Sequence, residues 1–265
     1  MNRKCVLIFA GADPSGGAGL QADIETIATL GAHPLSVVTA LTVQDNDRVF
    51  SVHPVPELLL KQQAQALINK IEIAAVKIGI VGNRANAEAI AEMVKMLKAR
   101  QVDLPVVLDP VLASGNGDAL AGENTLDILA PLIAVATLIT PNLPEASALC
   151  GGDRRLDSQA EALLMACPNV LIKGGHGPEV DKVINRWFAE GISRTWTWPR
   201  LPGTFHGTGC TLASAIAALL ANGQSMADAI DLAQSYTQEA LESSYSIADG
   251  QRIPNRSVSL LEDGA

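Results

Sequence analysis

Apolar positions fall along this chain in two alternating rhythms. Val6 to Ala10 is a short apolar run that stops at Gly11, the pattern of a strand buried on both faces. Ala18 to Leu30 then follows helical spacing until Gly31 ends it. Leu35 to Val43 is rich in β-branched residues and predicts a strand, and Glu57 to Ile71 returns to helical spacing. Ala74 to Val81 predicts another buried strand, interrupted by Lys77 and Gly79. Ala85 to Arg100 predicts a helix, and Leu104 to Leu108 a strand running into Asp109-Pro110. Thr137 to Thr140 and Val170 to Ile172 predict further strands, ending at Pro141-Asn142 and Lys173-Gly174-Gly175. Two helices, Thr208 to Asn222 and Met226 to Ser243, follow at the C-terminal end.

Strands that alternate with helices predict an α/β fold of three layers, α/β/α, around a mainly parallel central sheet. Residues 182–198 break the rhythm. They hold Trp187, Phe188, Trp196 and Trp198 with no helix between, and they predict an antiparallel hairpin at the sheet edge. No repeat, linker or low-complexity segment divides the chain, so a single domain over residues 1–265 is expected. In open α/β sheets ligands sit beyond the carboxyl ends of the strands, where Gly11, Asp109, Asn142 and Lys173 all fall.

Composition narrows the function classes. Hydrophobic residues make up 48% of the 265 and charged residues 18%, which suits a globular chain with a sizeable core. The net charge is −9 and no run of Lys or Arg offers a basic face, which argues against nucleic acid as a partner. No apolar run has the length of a membrane span, and Cys5 to Ala10 is too short for the core of a secretory leader. Four cysteines lie scattered, at 5, 150, 167 and 210, without zinc spacing or a disulfide pattern. A reducing cytoplasm is the compartment this implies.

The candidate chemistry begins at Gly207-Thr208-Gly209-Cys210, which opens an apolar helix. Successive glycines let backbone N–H groups converge, and the helix start adds partial positive charge, a combination suited to a transferring phosphoryl group. Cys210 lies in the first turn, where a thiolate is favoured. The rival reading is an ordinary glycine-rich helix start with a packed cysteine.

Asp13-Pro14-Ser15-Gly16-Gly17-Ala18-Gly19 is a second glycine-rich turn. Within it Gly17-x-Gly19-x-x-Ala22 mimics a dinucleotide fingerprint, but the strand ends several residues too early for that reading. No Walker A pattern exists in the chain. Asp109, Asn142 and Glu145 form an acidic and polar set able to serve a nucleotide-bound Mg²⁺, although Asn142-x-x-Glu145 also reads as a capping box. Lys173, at a strand end before two glycines, is placed to meet phosphates. His33, His53, His176 and His206 fit no metal spacing.

Taken together these residues resemble the ribokinase superfamily and, within it, the hydroxymethylpyrimidine/phosphomethylpyrimidine kinases of thiamine biosynthesis. The resemblance runs through Ala10 to Gly19 with Gln21-Ala22-Asp23, then Val38 to Thr42 with Gln44, Lys77-Ile78-Gly79 and Leu108 to Val111. It continues through Thr140 to Ala146, Lys173 to His176, and His206 to Leu212, in the family's order. It implies ATP and Mg²⁺ as co-substrate and cofactor, a small pyrimidine as substrate, and a homodimer. It also implies Cys210 as the base, with Gly207, Thr208 and Gly209 at the transferring phosphoryl group. Gly11, Asp23 and Gln44 would lie at the pyrimidine; Lys173, Asn142 and Thr208 at ATP; Asp109 and Glu145 at the metal. The chain departs from the family pattern at Ile80, at Ala113-Ser114-Gly115, where a lysine is missing, and at Thr204-Phe205. Two rivals remain: a pyridoxal-type kinase of the same superfamily, and a ligand-binding protein of this fold without turnover.

Overall fold

A computed structural model describes residues 2–112 and 125–258. The strands are β1 (Cys5–Ala12), β2 (His33–Gln44), β3 (Val49–Pro54), β4 (Ala75–Ile78), β5 (Val106–Leu108), β6 (Leu138–Ile139), β7 (Asn169–Ile172), β8 (Lys182–Ala189) and β9 (Ile192–Pro199). The helices are α1 (Gly19–Thr29), α2 (Glu57–Ile68), α3 (Arg84–Arg100), α4 (Thr125–Ile133), α5 (Leu143–Leu149), α6 (Leu156–Leu164), α7 (Thr208–Ala221) and α8 (Met226–Glu242).

The nine strands form one sheet in the order β3-β2-β1-β4-β5-β6-β7-β8-β9. Pairing is parallel from β2 to β7, and the predicted hairpin β8–β9 extends that edge antiparallel to β7. The opposite edge also carries an antiparallel strand, β3 against β2, which the sequence pattern did not disclose. Its six residues, Val49–Pro54, are mostly polar or half-exposed, so no alternation marks them.

Burial on both faces explains the unbroken apolar runs of the central strands. Val6, Ile8 and Ala10 of β1 pack with α1, α7 and α8, whereas Leu7 and Phe9 pack with α2, α3 and α4. Three helices between β5 and β7 escaped the sequence reading. In α4 nearly every position is apolar and Pro131 lies inside it, and α5 has seven residues with a proline in its first turn. Periodicity is too weak a signal in elements of that kind.

One polar contact sits in the centre of this apolar frame. Lys77, in the middle of β4, pairs with Ile8 on one side and Val107 on the other. Its Nζ donates to both carboxylate oxygens of Asp23 on α1, each at 2.8 Å, and Ser214 Oγ of α7 donates to the same carboxylate at 2.7 Å. Both charged side chains are wholly buried. Burial alone would strip the Lys77 ammonium, yet the negative charge of Asp23 holds it above its ordinary value. Removing one partner leaves a buried charge alone. Lys77→Met should therefore lose about 3–5 kcal/mol in chemical denaturation, and adding Asp23→Leu should restore much of it. A single variant as stable as the native protein would show that the pair is not ionic.

Candidate functional site

The carboxyl ends of β1, β4, β5, β6 and β7 open into a cavity of about 850 Å³. Gly11, Gln44, Asp109, Asn142, Glu145, Lys173 and the turn from Gly207 to Cys210 all line it. Asp23 does not. Its carboxylate is spent on Lys77 and Ser214 behind the cavity wall, so the sequence-based placement of Asp23 at the substrate is corrected. Lys77, its partner, lines the cavity in its stead.

The turn before α7 takes its shape from Gly207, whose φ of +78° lies in the left-handed region. A Cβ there would stand 2.0 Å from the carbonyl oxygen of Gly17, so the two glycine-rich turns touch backbone to backbone. The first intrahelical bond runs from Thr211 N–H to Gly207 C=O at 2.9 Å. The N–H groups of Thr208, Gly209 and Cys210 therefore precede any helical acceptor, at the positive end of a fourteen-residue helix facing the cavity. A Cβ on Gly209 would lie 3.1 Å from Lys173 Nζ and 3.3 Å from Asp109 Oδ2, so these charges sit directly against the turn.

Lys173 Nζ donates to Asp109 Oδ1 at 2.6 Å, and Thr140 Oγ1 donates to the same oxygen at 3.1 Å. Asn142 and Glu145 do form a capping box: Asn142 Oδ1 accepts from Glu145 N–H at 2.8 Å, and Glu145 Oε2 accepts from Asn142 N–H at 2.7 Å. Burial pushes the Glu145 carboxyl up to about 7, with Asp109 adding to the rise while Lys173 and the Asn142 N–H oppose it. Among the described residues, no three His, Cys, Asp or Glu side chains group as a metal cage. Two carboxylates facing an anion turn suit an ion that brings waters and phosphate oxygens as the rest of its shell, which is how Mg²⁺ is usually held.

Cys210 departs from the sequence expectation. Burial pushes its thiol up to about 11; Lys77 and the Gly19 N–H pull it down, while Asp23 and Asp109 raise it further. The helix start does not prevail over desolvation and two nearby carboxylates.

Beside the α7 turn, Gln44 Nε2 lies 3.4 Å from His206 Nε2, which is 2.8 Å from Asp13 Oδ2. Asp13 also accepts from the N–H groups of Ser15 at 2.8 Å and Ala18 at 2.7 Å, and so shapes the first glycine-rich turn. Its carboxyl is lowered despite burial, chiefly through the His206 contact, so the imidazole N–H is the donor between them.

Sequence reasoning passed over Asp13, His206 and Lys77 as site residues. For Lys77 a signal exists: a lysine between Val76 and Ile78 in a fully apolar strand requires a buried anion. Asp13 and His206 carry no local signal, because their partnership spans 193 residues. Ala113-Ser114-Gly115, where the family lysine is missing, lie outside the described residues.

The Glu145 environment has a measurable consequence. A carboxyl held up to about 7 in the folded chain and near 4.5 when unfolded costs stability as pH rises between those values, because only the unfolded chain then ionises. Glutamine keeps the capping bond and cannot ionise. The melting temperature of the native protein, measured against Glu145→Gln, should therefore fall from pH 4.5 to 7 and stay level below 4.5. A flat difference across that window would show that Glu145 ionises normally.

Residues 13–255 match the family described as phosphomethylpyrimidine kinase. The hydroxymethylpyrimidine/phosphomethylpyrimidine kinase of Streptomyces coelicolor is 38% identical over 255 residues, covering 92% of this chain and 91% of that one. The multifunctional thiamine biosynthesis protein of Corynebacterium efficiens is 35% identical over 245 residues, and there the match spans 32% of the longer chain. Among solved structures, the pyridoxal kinase of Staphylococcus aureus in complex with pyridoxal superposes with a TM-score of 0.86 at 26% identity, covering 97% of this chain and 94% of that one. The phosphomethylpyrimidine kinase of Clostridium difficile gives 0.76 at 32% identity, with 90% and 100% covered. The chain belongs to the phosphomethylpyrimidine kinase family.

Proposed function

We propose that the protein transfers the γ-phosphoryl group of ATP to the hydroxyl of 4-amino-5-hydroxymethyl-2-methylpyrimidine, and then a second phosphoryl group to the resulting monophosphate, in thiamine biosynthesis. One observation carries this reading. A single cavity holds the open start of α7, a lysine beside it, two carboxylates, and a glutamine next to His206, the residue before that turn. The family match supports the pyrimidine as substrate.

In this reading the N–H groups of Thr208, Gly209 and Cys210 hold the γ-phosphoryl oxygens, where fixed donors act without reorganising. Lys173 turns from Asp109 toward the incoming phosphates, and Asn142 lies beside them. Mg²⁺, when bound, would neutralise phosphate charge, with Asp109 and Glu145 as the residues to hold it through its waters. Gln44 both donates and accepts, which suits the edge of an aminopyrimidine, and Gly11 gives the ring close access to the sheet. The four free thiols suit a reducing cytoplasm. A homodimer would join along the β2–β3 edge, where Leu41, Val43 and Phe50 are exposed.

A pyridoxal-type kinase is the second reading, favoured by the TM-score of 0.86 to a pyridoxal-bound relative. ADP release with hydroxymethylpyrimidine, its monophosphate and pyridoxal separates the two. The expected order places the pyrimidine first by kcat/KM; pyridoxal ahead of both pyrimidines would reverse the assignment, and no release with any of the three would end the kinase reading.

In the transfer itself the bond from ADP to the γ-phosphorus breaks as the hydroxymethyl oxygen bonds to it, and that oxygen's proton passes to Cys210 Sγ as thiolate. A thiol pushed up to about 11 is scarcely ionised at neutral pH. The rate should therefore rise about tenfold per pH unit from 7 toward 10, and Cys210→Ser should lose about 10²–10⁴ of it together with that slope. If Cys210→Ser keeps most of the activity, the thiol only packs and the backbone turn works alone.

A further inference from the structure

The guanidinium of Arg256 is the largest charged group buried near the cavity that the proposed reaction does not use. It lies after α8, near the end of the described chain, and its side chain is wholly inaccessible. Its Nε donates to Thr211 Oγ1 of α7 at 2.9 Å. Its Nη1 donates to the Gly16 carbonyl at 3.4 Å and stands 3.3 Å from Glu25 Oε2, while its Nη2 donates to the Gly17 carbonyl. Its own carbonyl accepts from the hydroxyl of Tyr236 on α8 at 2.6 Å.

These partners define a position between the two glycine-rich turns. Thr211 also donates its hydroxyl to Gly207 C=O at 2.9 Å, so Arg256 reaches the left-handed residue of the α7 turn through one side chain. A Cβ on Gly207 would meet Arg256 Nη2 at 2.8 Å, next to the Gly17 oxygen that Nη2 binds. A few residues earlier the same C-terminal segment pairs along the strand leading into that turn. His206 N–H donates to Arg252 C=O and Arg252 N–H to Thr204 C=O, both at 2.9 Å.

We propose that Arg256 is a positioning residue for phosphoryl transfer. It clamps the turn Gly16–Gly17 against the start of α7 and so fixes where the N–H groups of Thr208 to Cys210 stand relative to the substrate end of the cavity. Three consequences of that spacing are visible. The His206 side chain lies against Gly17, where a Cβ would come within 2.1 Å of Cδ2. The Gly19 N–H points at Cys210. Asp13 remains in reach of His206 at 2.8 Å. A planar fork with five donors can hold two carbonyls and a hydroxyl at once, whereas an ammonium on a flexible stem cannot fix that plane.

The inference rests on the kinase reading, and the experiment keeps the two apart. Native protein without turnover would sink the reading, whereas the comparisons below need an active native enzyme. Steady-state kinetics of Arg256→Lys and Arg256→Ala, run well below each variant's melting temperature, should show kcat reduced about 10-fold to 100-fold, as expected when reacting groups shift by about an ångström. The KM for ATP should change less than about twofold, since the lysine and the nucleotide end of the cavity are untouched. Methylguanidinium at low millimolar concentration should restore part of kcat in Arg256→Ala and none in Arg256→Lys, whose side chain fills the space. If Arg256→Ala does not fold, Arg256→Lys alone carries the kcat test. Either variant folded with native kcat, or a loss of activity that follows the unfolded fraction and is not rescued, would overturn the proposal.

Discussion

The ionic contact of Lys77 with Asp23, closed by the Ser214 hydroxyl, holds the functional half of this molecule in register. It joins a central strand to an earlier helix, α1, and a later one, α7, at a wholly buried position. Apolar packing of β1 and β4 against α1 and α7 permits sliding, because Leu, Val and Ala contacts are not directional. Two charges that must meet permit far less. The register they set carries the start of α7 to the ends of β4 and β5, and thereby brings Gly209 to Asp109 and Lys173. The same pair sets the field at Cys210, which Lys77 and Asp23 influence in opposite directions.

Above that contact the site is built from backbone. Gly17 and Gly207 approach so closely that any side chain at 207 would displace a carbonyl, and the α7 turn lines the cavity next to Lys173 and Asp109. Backbone donors suit phosphoryl transfer better than flexible side chains, since they are already aimed before the nucleotide arrives. The cost is that the turns have few side chains of their own to hold them. Asp13 from within the first turn and the C-terminal segment from outside supply that support.

Much of this was legible in the sequence, for identifiable reasons. Central strands buried on both faces appear as unbroken apolar runs, so β1, β5 and β7 and their carboxyl ends could be placed, and with them Gly11, Asp109 and Lys173. The glycine spacing at 207 and 209 pointed to an anion turn without any tertiary information, and the capping box at Asn142 and Glu145 is local by nature. What stayed hidden depends on distance along the chain. Asp23 was placed at the substrate by the family resemblance alone, whereas its ionic partner is 54 residues away. Arg256 acts on Gly17 from 239 residues away and has no local pattern to announce it. The Cys210 thiol was misjudged for another reason: a helix start is visible in sequence, but desolvation and neighbouring carboxylates are not.

The electrostatics of the cavity then resolve a tension that composition raises. A chain of net charge −9 repels a nucleotide at long range, but that repulsion is screened beyond about 8–10 Å at ordinary salt. Close in, the charges are balanced before substrate comes. Lys77 is matched by Asp23 and Lys173 by Asp109, and burial pushes the Glu145 carboxyl up to about 7, toward its neutral form. The positive end of α7 and the guanidinium of Arg200, which donates to backbone carbonyls, also line the cavity. In the proposed reaction the charge of an arriving triphosphate would draw Lys173 off Asp109. That exchange would free Asp109 Oδ1 for a phosphate-bound cation. In the proposed reaction the pairing of Lys173 with Asp109 in the free protein would keep the two charges matched until a nucleotide gave each a new partner.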